Sequence, residues 1–262
     1  MAEPDRRKIA VAGATGRVGR HVVDVLEAGG HDVVAMSRSS GVDVVTGEGL
    51  GEALAGVDCV IDVATGASPD ERAATEFFTA AARNLHEVGE RAGVRRMVVV
   101  SIIGCDRFTA GYGAAKVAHE RAHLSGPIPV RILRAAQFHE FVAQLLEWGR
   151  QGEVCYVPRM RTQPVAARTV AQALADLATD PESAPAPGAA GVPILEIAGP
   201  REESLVDLAN LLVARRGDPV KVEGVSDPAN PDAHLMETGA LLPGPDATLA
   251  GPTFEEWLDT TF

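Results

Sequence analysis

Short apolar runs punctuate the first half of the chain, and amphipathic stretches fill the gaps between them. Ile9–Ala12, Asp32–Met36, Asp43–Val45, Cys59–Val63, Met97–Val100 and Val130–Leu133 read as strands. Between them, Arg17–Ala28, Gly51–Ala55, Asp70–Ala92 and Tyr112–Ser125 read as helices. The first gathers Val18, Val22, Val25 and Leu26 on one face and ends at Gly29-Gly30. The third places Ala73, Phe77, Ala81, Leu85 and Val88 at helical spacing. Continuously apolar strands that alternate with helices predict a doubly wound parallel sheet covered on both faces, an α/β fold.

Residues 1–135 are therefore expected to form one core and residues 136–262 a smaller substrate-binding portion, with elements free to rejoin that core. Phe138–Gly149, Ala167–Thr179 and Ser204–Arg216 read as helices, and Ile194–Ala198 and Val220–Val225 as strands. Residues 180–193 have the composition of a surface loop. Pro and Gly dominate beyond Val225, up to a terminal segment around Phe254, Trp257 and Leu258.

Composition narrows the function classes. A chain of 262 residues is long enough to bury a sizeable core. No run approaches the roughly 18 apolar residues of a membrane helix, and Ile9–Ala12 is too short for a signal-peptide core, so the expectation is a cytoplasmic protein without a membrane partner. A net charge of −12 argues against nucleic acid as a general partner. Cys59, Cys105 and Cys155 are scattered and predict neither a disulfide framework nor a metal site, with Cys59 a buried apolar residue. Lys8, Lys116 and Lys221 are the only lysines, which makes each position informative.

Gly13, Gly16 and Gly19 follow a strand and open a helix. In that setting the first glycine permits the tight turn. The second lets backbone approach a pyrophosphate, and the third lets helix and sheet pack closely. Phosphates then meet the unpaired N–H groups of a helix N-terminus. This predicts a Rossmann-type dinucleotide site. The strand Asp32–Met36 runs into Ser37-Arg38, where an NAD-selective protein usually carries an acid. An arginine there can pair with a 2′-phosphate, so NADP(H) is expected in preference to NAD(H). Asp43 is a candidate partner of the adenine amine.

Tyr112 and Lys116 are spaced i, i+4 and share a helix face. An ammonium near a phenol favours the phenolate and lowers its pKa, which makes a usable general acid or base. Ser101 stands at the end of the Met97–Val100 strand, where a parallel sheet binds ligands, and can hold a substrate carbonyl. Gln137 and His139 follow the next strand and are candidate substrate contacts. His119 and His123 have metal-compatible spacing, but no carboxylate cluster joins them in sequence, so no metal is expected. Phe138, Phe141, Trp148, Tyr156 and Met160 are expected in the core, with some of them roofing the pocket.

These residues together resemble the short-chain dehydrogenase/reductase superfamily, and within it the atypical, NmrA-like branch of NAD(P)H-binding proteins. The carrying segments are Val11–Gly19, Val60–Gly66, Val98–Gly104, Tyr112–Lys116, Ile132–His139 and the tail from Leu241 to Trp257. The resemblance implies that Gly13, Gly16 and Gly19 form the pyrophosphate turn, lined by Thr15, Arg17 and Val18. It implies that Ala64, Thr65 and Gly66 pass the cofactor ribose. Tyr112 would donate a proton, Lys116 would bind the nicotinamide ribose and tune Tyr112, and Ser101 would orient the carbonyl.

The expected function is an NADPH-dependent reductase of a small carbonyl or enone, with a small molecule as partner and a homodimer as an open option. One alternative is a non-catalytic protein that senses NADP(H) and acts through a partner. Another is a sugar-nucleotide epimerase or isomerase that keeps its nicotinamide bound. The identity of the substrate is not written in the sequence.

Overall fold

The computed structural model describes residues 6–180 and 194–261. The chain runs through β1 (Lys8–Ala12), α1 (Gly19–Ala28), β2 (Asp32–Met36), α2 (Leu50–Ala53), β3 (Cys59–Asp62), α3 (Glu71–Ala92), β4 (Arg96–Ile102), α4 (Gly111–Leu124) and β5 (Val130–Ala135). It continues through α5 (His139–Gly149), β6 (Arg150–Gln151), β7 (Val154–Pro158), β8 (Arg161–Thr162), α6 (Ala167–Thr179), β9 (Ile194–Ala198), β10 (Glu203–Ser204) and α7 (Leu205–Arg216). The last elements are β11 (Lys221–Val225), α8 (Ala233–Glu237), β12 (Thr248–Leu249) and α9 (Phe254–Thr261).

Seven strands form one parallel sheet in the order β12-β9-β5-β4-β3-β1-β2. This is a Rossmann-like α/β fold. The chain leaves β1 for β2 on one side and returns to β3 on the other, so the strand order reverses at β1, where a doubly wound sheet opens its ligand crevice. Successive strand residues point to opposite faces. Ile9, Val11, Ile61 and Val98 pack under α1 and α6, against Val22, Leu26, Val170 and Leu174. Ala10, Ala12, Val60 and Val99 face the other layer, with Leu50, Leu54 and Leu85. A separate apolar cluster joins α5, α7, α9 and β7 through Val142, Leu146, Val157, Leu208, Leu212 and Phe254.

Several expectations need correction. Asp43–Val45 is a turn, because the Asp43 carboxylate accepts the N–H groups of Val45 (2.7 Å) and Thr46 (3.2 Å). A short polar side chain that bonds its own backbone competes with a strand ladder. The Asn84 side chain then takes the carbonyls of Val44 and Val45. The buried face of α3 is turned from the expected one. Ala74, Phe78, Ala81, Ala82 and Leu85 are buried, whereas Ala73 is exposed and Phe77 and Val88 only half-buried. The cause is a second neighbour: α3 packs along α4 as well as on the sheet, and Phe78 and Ala74 meet Ala115 there. The helix α1 begins at Gly19, two residues after the expected start. Of the expected loop 180–193, all but Asp180 lies outside the described residues. The short strands β6, β7, β8, β10 and β12 and the helix α8 were absent from the reading of the sequence.

Leu174 is fully buried on α6, against a sheet formed largely by the first half of the chain, while Leu211 on α7 is 36% exposed. Leu174→Ala is expected to cost about 2–5 kcal/mol in urea unfolding. Leu211→Ala should stay within roughly 0.5 kcal/mol of wild type. Equal, small effects would show that α6 is not part of the main core.

Candidate functional site

The loop after β1 and the loop after β3 nearly touch at the reversal of strand order. Gly13 has φ +81°, and a Cβ placed there would lie 2.7 Å from the Ala64 Cα. A Cβ on Gly19 would lie 2.1 Å from the Gly13 carbonyl oxygen, so this glycine keeps the turn closed on itself. Gly16 differs: its Cβ would meet only the Gly13 oxygen, at 3.1 Å, and otherwise enter open space. The turn is pinned to the sheet by the amides of Gly13 and Ala14, which donate to the Met36 carbonyl at the end of β2. A tight turn with one glycine face left bare, opening a helix whose first amides lack intrahelical acceptors, fits a dinucleotide phosphate.

That bare face opens on a cavity of about 480 Å³. Gly16, Arg17, Val18, Ala64, Thr65 and Gly66 line it, and so do Ser101, Tyr112, Lys116 and Gln137. The structure thus brings together most of the residues singled out from the sequence. Gly13, Thr15, Gly19, Ser37 and Arg38 do not line the cavity. Ser37 caps the short turn 38–40 after β2, and Arg38 is exposed with no ion pair among the described residues. Asp43 is absent from the wall as well, and its carboxylate holds its own turn rather than standing open to an adenine.

The Tyr112 hydroxyl lies 3.1 Å from Thr65 Oγ1. Burial pushes the phenol above its ordinary value, and the Thr65 contact only partly opposes it. The expected lowering by Lys116 does not occur, because the ammonium is engaged elsewhere. Lys116 Nζ donates to the Val100 carbonyl (2.9 Å) and meets His119 Nδ1 (2.9 Å), and it sits 4.5 Å from the centre of the Phe78 ring. Burial brings the Lys116 pKa down to about 8, with Asp62, Cys105 and Glu120 pulling the other way.

Ser101 is almost fully buried and belongs to a second polar group. Its Oγ lies 3.7 Å from Cys105 Sγ, which is 3.3 Å from Glu120 Oε1. Arg134 grips Glu120 with two hydrogen bonds, 2.9 and 2.7 Å, and reaches Asp106 at 2.8 Å. Burial pushes the Glu120 carboxyl up, but the bonds from Arg134 and Ser101 outweigh it and leave it below its ordinary value.

Gln137 holds Thr162 at 2.6 Å and faces the cavity. His139, expected beside the substrate, does not line the cavity. It is fully buried, with Nε2 3.1 Å from the Pro252 carbonyl and its ring against Phe254 and Trp257. It ties α5 to the C-terminal segment, and burial brings its pKa down to about 4. His119 and His123 are joined by a carboxylate after all: Asp62 Oδ2 lies 3.1 Å from the Nε2 of each. Asp62 comes from β3, so the grouping is invisible to spacing along the helix.

Phe138, Phe141, Trp148 and Met160 do roof the cavity, while Tyr156 does not, and none of the five is buried in the core as expected: Trp148 is exposed and the other four are half-buried. Phe108, Asn230 and Met236 also line it and carried no signal in the sequence, and Leu241, from the tail segment of the resemblance, joins them. Arg17 Nη2 donates to Gln144 Oε1 at 2.8 Å and so links the glycine turn to α5. Among the described residues, no Asp or Glu lines the cavity, and Arg17 and Lys116 are its two basic residues.

The NAD(P)H-binding family matches residues 13–181, and the chain belongs to it. No curated protein sequence matches the chain. Among solved structures, a short-chain dehydrogenase/reductase superfamily protein from Agrobacterium tumefaciens with bound NAD is similar, with 19% identity, a TM-score of 0.66 and coverage of 97% of this chain and 95% of that one. A UDP-N-acetylglucosamine 4-epimerase from Bacillus cereus shares 19% identity with a TM-score of 0.67 over 97% and 94% of the two chains. The triphenylmethane reductase of Citrobacter sp. complexed with NADP(H) shares 17% identity with a TM-score of 0.65 over 97% and 100%. These likenesses establish the fold. Among the described residues, no helix is long and apolar enough to cross a membrane.

Gly16→Val is the informative change in the turn. Its backbone needs no left-handed conformation, and the added methyls enter the cavity. NAD(P)H affinity should fall by about 100-fold or more, ~2.8 kcal/mol, while thermal unfolding stays near that of wild type. Calorimetry that finds unchanged affinity in the folded variant would remove the turn from the cofactor site.

Proposed function

We propose that this chain is an NADPH-dependent reductase of a small apolar carbonyl or enone, of the NmrA-like type. The observation that carries the reading is that Tyr112, Lys116 and Ser101 line one cavity with the bare face of the glycine turn, while the rest of its wall is mostly apolar and, among the described residues, free of carboxylates. Bound there, NADPH supplies the hydride. The Tyr112 phenol supplies the proton to the carbonyl oxygen. Its raised pKa suits that direction, because the group is a protonated donor throughout the neutral range. Lys116 holds the cofactor ribose as an ammonium, and Ser101 orients the carbonyl. Phe141, Trp148, Met160 and Met236 present an aromatic and thioether surface to the remainder of the substrate.

Two features favour this reading over its rivals. A sugar nucleotide brings a diphosphate of its own, and among the described residues the cavity has only Arg17 and Lys116 as basic residues, one bonded to Gln144 and the other assigned to the cofactor. A sensor needs neither a phenol in the cavity wall nor an aromatic roof over it, and this cavity has Tyr112 in its wall and Phe141 and Trp148 over it. Arg38, exposed beside Ser37 and without an ion pair among the described residues, suits a 2′-phosphate.

Tyr112→Phe should lower kcat by about 100-fold or more, with the NADPH Kd little changed, in NADPH oxidation assays over a panel of apolar ketones, enones and quinones. NADPH binding should weaken as pH rises through about 8, because Lys116 loses its charge there. Wild-type rates in Tyr112→Phe would overturn the proton-donor assignment. Good NADPH binding with no turnover across the panel would put the sensor reading first.

Arg38→Ala should weaken NADPH binding by on the order of 1.5–3 kcal/mol and leave NADH binding unaltered. Titration of both cofactors against both proteins checks it. Equal losses would show that Arg38 does not read the 2′-phosphate.

A further inference from the structure

Next to Lys116 lies a group of buried side chains that the reaction above does not use: Asp62, His119, His123 and His86. None of them lines the cavity. Their hydrogen atoms can be placed from the two ends of the group inward. The Ile128 N–H faces His86 Nδ1 at 3.4 Å, so His86 carries its proton on Nε2 and donates to His123 Nδ1 at 3.3 Å. His123 is then protonated on Nε2, 3.1 Å from Asp62 Oδ2. From the other end, the Lys116 ammonium donates to His119 Nδ1 at 2.9 Å, which leaves the His119 proton on Nε2, also 3.1 Å from Asp62 Oδ2. Asp62 Oδ1 accepts the Ala64 N–H at 2.9 Å. In this scheme both Nε2–H groups donate to the one oxygen Asp62 Oδ2, and the two Nε2 atoms, 3.1 Å apart, share that acceptor and do not bond to each other.

The atoms Asp62 Oδ2, His119 Nε2 and His123 Nε2 lie within 4.8 Å of one another, close enough for a metal ion. A ligating imidazole must present a lone pair to the metal and its N–H to an outer acceptor. Here the outer partners, the Lys116 ammonium on His119 and the His86 Nε2–H on His123, are donors, so the inner nitrogens carry the protons. The arrangement is that of a hydrogen-bonded relay ending on a carboxylate.

We propose that Asp62, acting through His119, is a positioning residue for Lys116. An ammonium has three N–H bonds. The Val100 carbonyl and His119 take two of them, which fixes the direction of the third, and Lys116 lines the cavity. The proposal rests on the reading of Lys116 as a cofactor-holding group. The neighbouring elements supply the other polar groups near the ammonium: Asp62 from β3, Ser101 from β4, Cys105 from the following turn, Tyr112, His119 and Glu120 from α4, and Arg134 from β5 through Glu120. Asp62 heads the groups that keep Lys116 charged against the cost of burial. Burial pushes the Asp62 carboxyl up, but its bonds from His119 and His123 dominate and hold it far below the carboxylate range. Burial, with Lys116 adding to it, brings His119 down to about 3, so His119 is a neutral link.

Asp62→Asn keeps the shape and removes the charge. Its amide presents a donor to His119 Nε2, which turns the imidazole proton toward Nδ1 and sets an N–H against the ammonium. Lys116 is one of only three lysines, so lysine labelled with 13C at Cε and 15N at Nζ gives three resonances, assigned with Lys116→Arg. In wild type the Lys116 signal should titrate near pH 8. In Asp62→Asn its midpoint should drop by about one pH unit or more, a tenfold loss of proton affinity, and NADPH should bind more weakly at pH 7 than at pH 6. His119→Leu should do the same. His119→Gln, whose amide can accept from Lys116 and donate to Asp62, should restore the wild-type midpoint. These two variants carry the test if Asp62→Asn does not fold. A wild-type Lys116 midpoint in folded Asp62→Asn or His119→Leu overturns the proposal. If the midpoint falls while NADPH affinity stays constant with pH, the relay stands and it is the cofactor role of Lys116 that fails.

Discussion

The near-contact between Gly13 and Ala64 sets the rest of the site. Two loops leave adjacent parallel strands at the point where strand order reverses, and their backbones come too close for any side chain between them. That approach requires glycine at 13, with its left-handed φ, and forces the turn to fold back on itself, which in turn requires glycine at 19. Gly16 is left facing open space, and the loop Val63–Gly66 is held beside it as the opposite wall. Thr65, delivered by that loop, is then in reach of the Tyr112 hydroxyl. The glycine turn and the Tyr112 hydroxyl are thus coupled through one backbone crossing.

Around this crossing the protein separates its polar and apolar work. The sheet is apolar on both faces and is closed by α1 and α6 on one side and by α2 and α3 on the other. Two buried polar groups interrupt it, both near the C-terminal ends of the central strands. Asp62 with its histidines backs Lys116, and Glu120 with Arg134 backs Ser101. Each brings a full charge out of water, which is unfavourable unless every lone pair and proton finds a partner. Both groups offset that cost with hydrogen bonds that span several elements. Their positions next to the two candidate catalytic side chains account for polar burial that a purely structural core would avoid.

Local pattern revealed much of this and spatial pattern did not. The strands around β1, the glycine turn and the Tyr112–Lys116 pair were legible because each depends on residues within one turn or one strand. Helix α6 was read to the residue, since its apolar stripe from Ala167 to Ala178 faces a single neighbour. The face of α3 was misjudged because it answers to two neighbours, the sheet and α4. Asp43–Val45 looked like a strand by its valines, but one aspartate side chain diverted the backbone. Asp62 could not be joined to His119 and His123 from spacing, because the group forms only when β3 lies beside α4. His139 stood at the right distance from a strand end to face the pocket, yet the aromatic residues of the C-terminal segment, remote in sequence, claimed it. The cavity roof from Asn230 and Met236 was equally hidden in a segment dominated by Pro and Gly.

The central claim is that one cavity holds a phosphorylated dinucleotide along the glycine turn with its reactive end at Tyr112. A crystal structure of the protein grown with NADPH tests this most directly. The pyrophosphate should lie over Gly16, the 2′-phosphate against Ser37 and Arg38, and the nicotinamide between Ser101 and Tyr112, with its ribose on Lys116. A cofactor bound with its nicotinamide away from Tyr112, or with no contact to the face of Gly16, would contradict it.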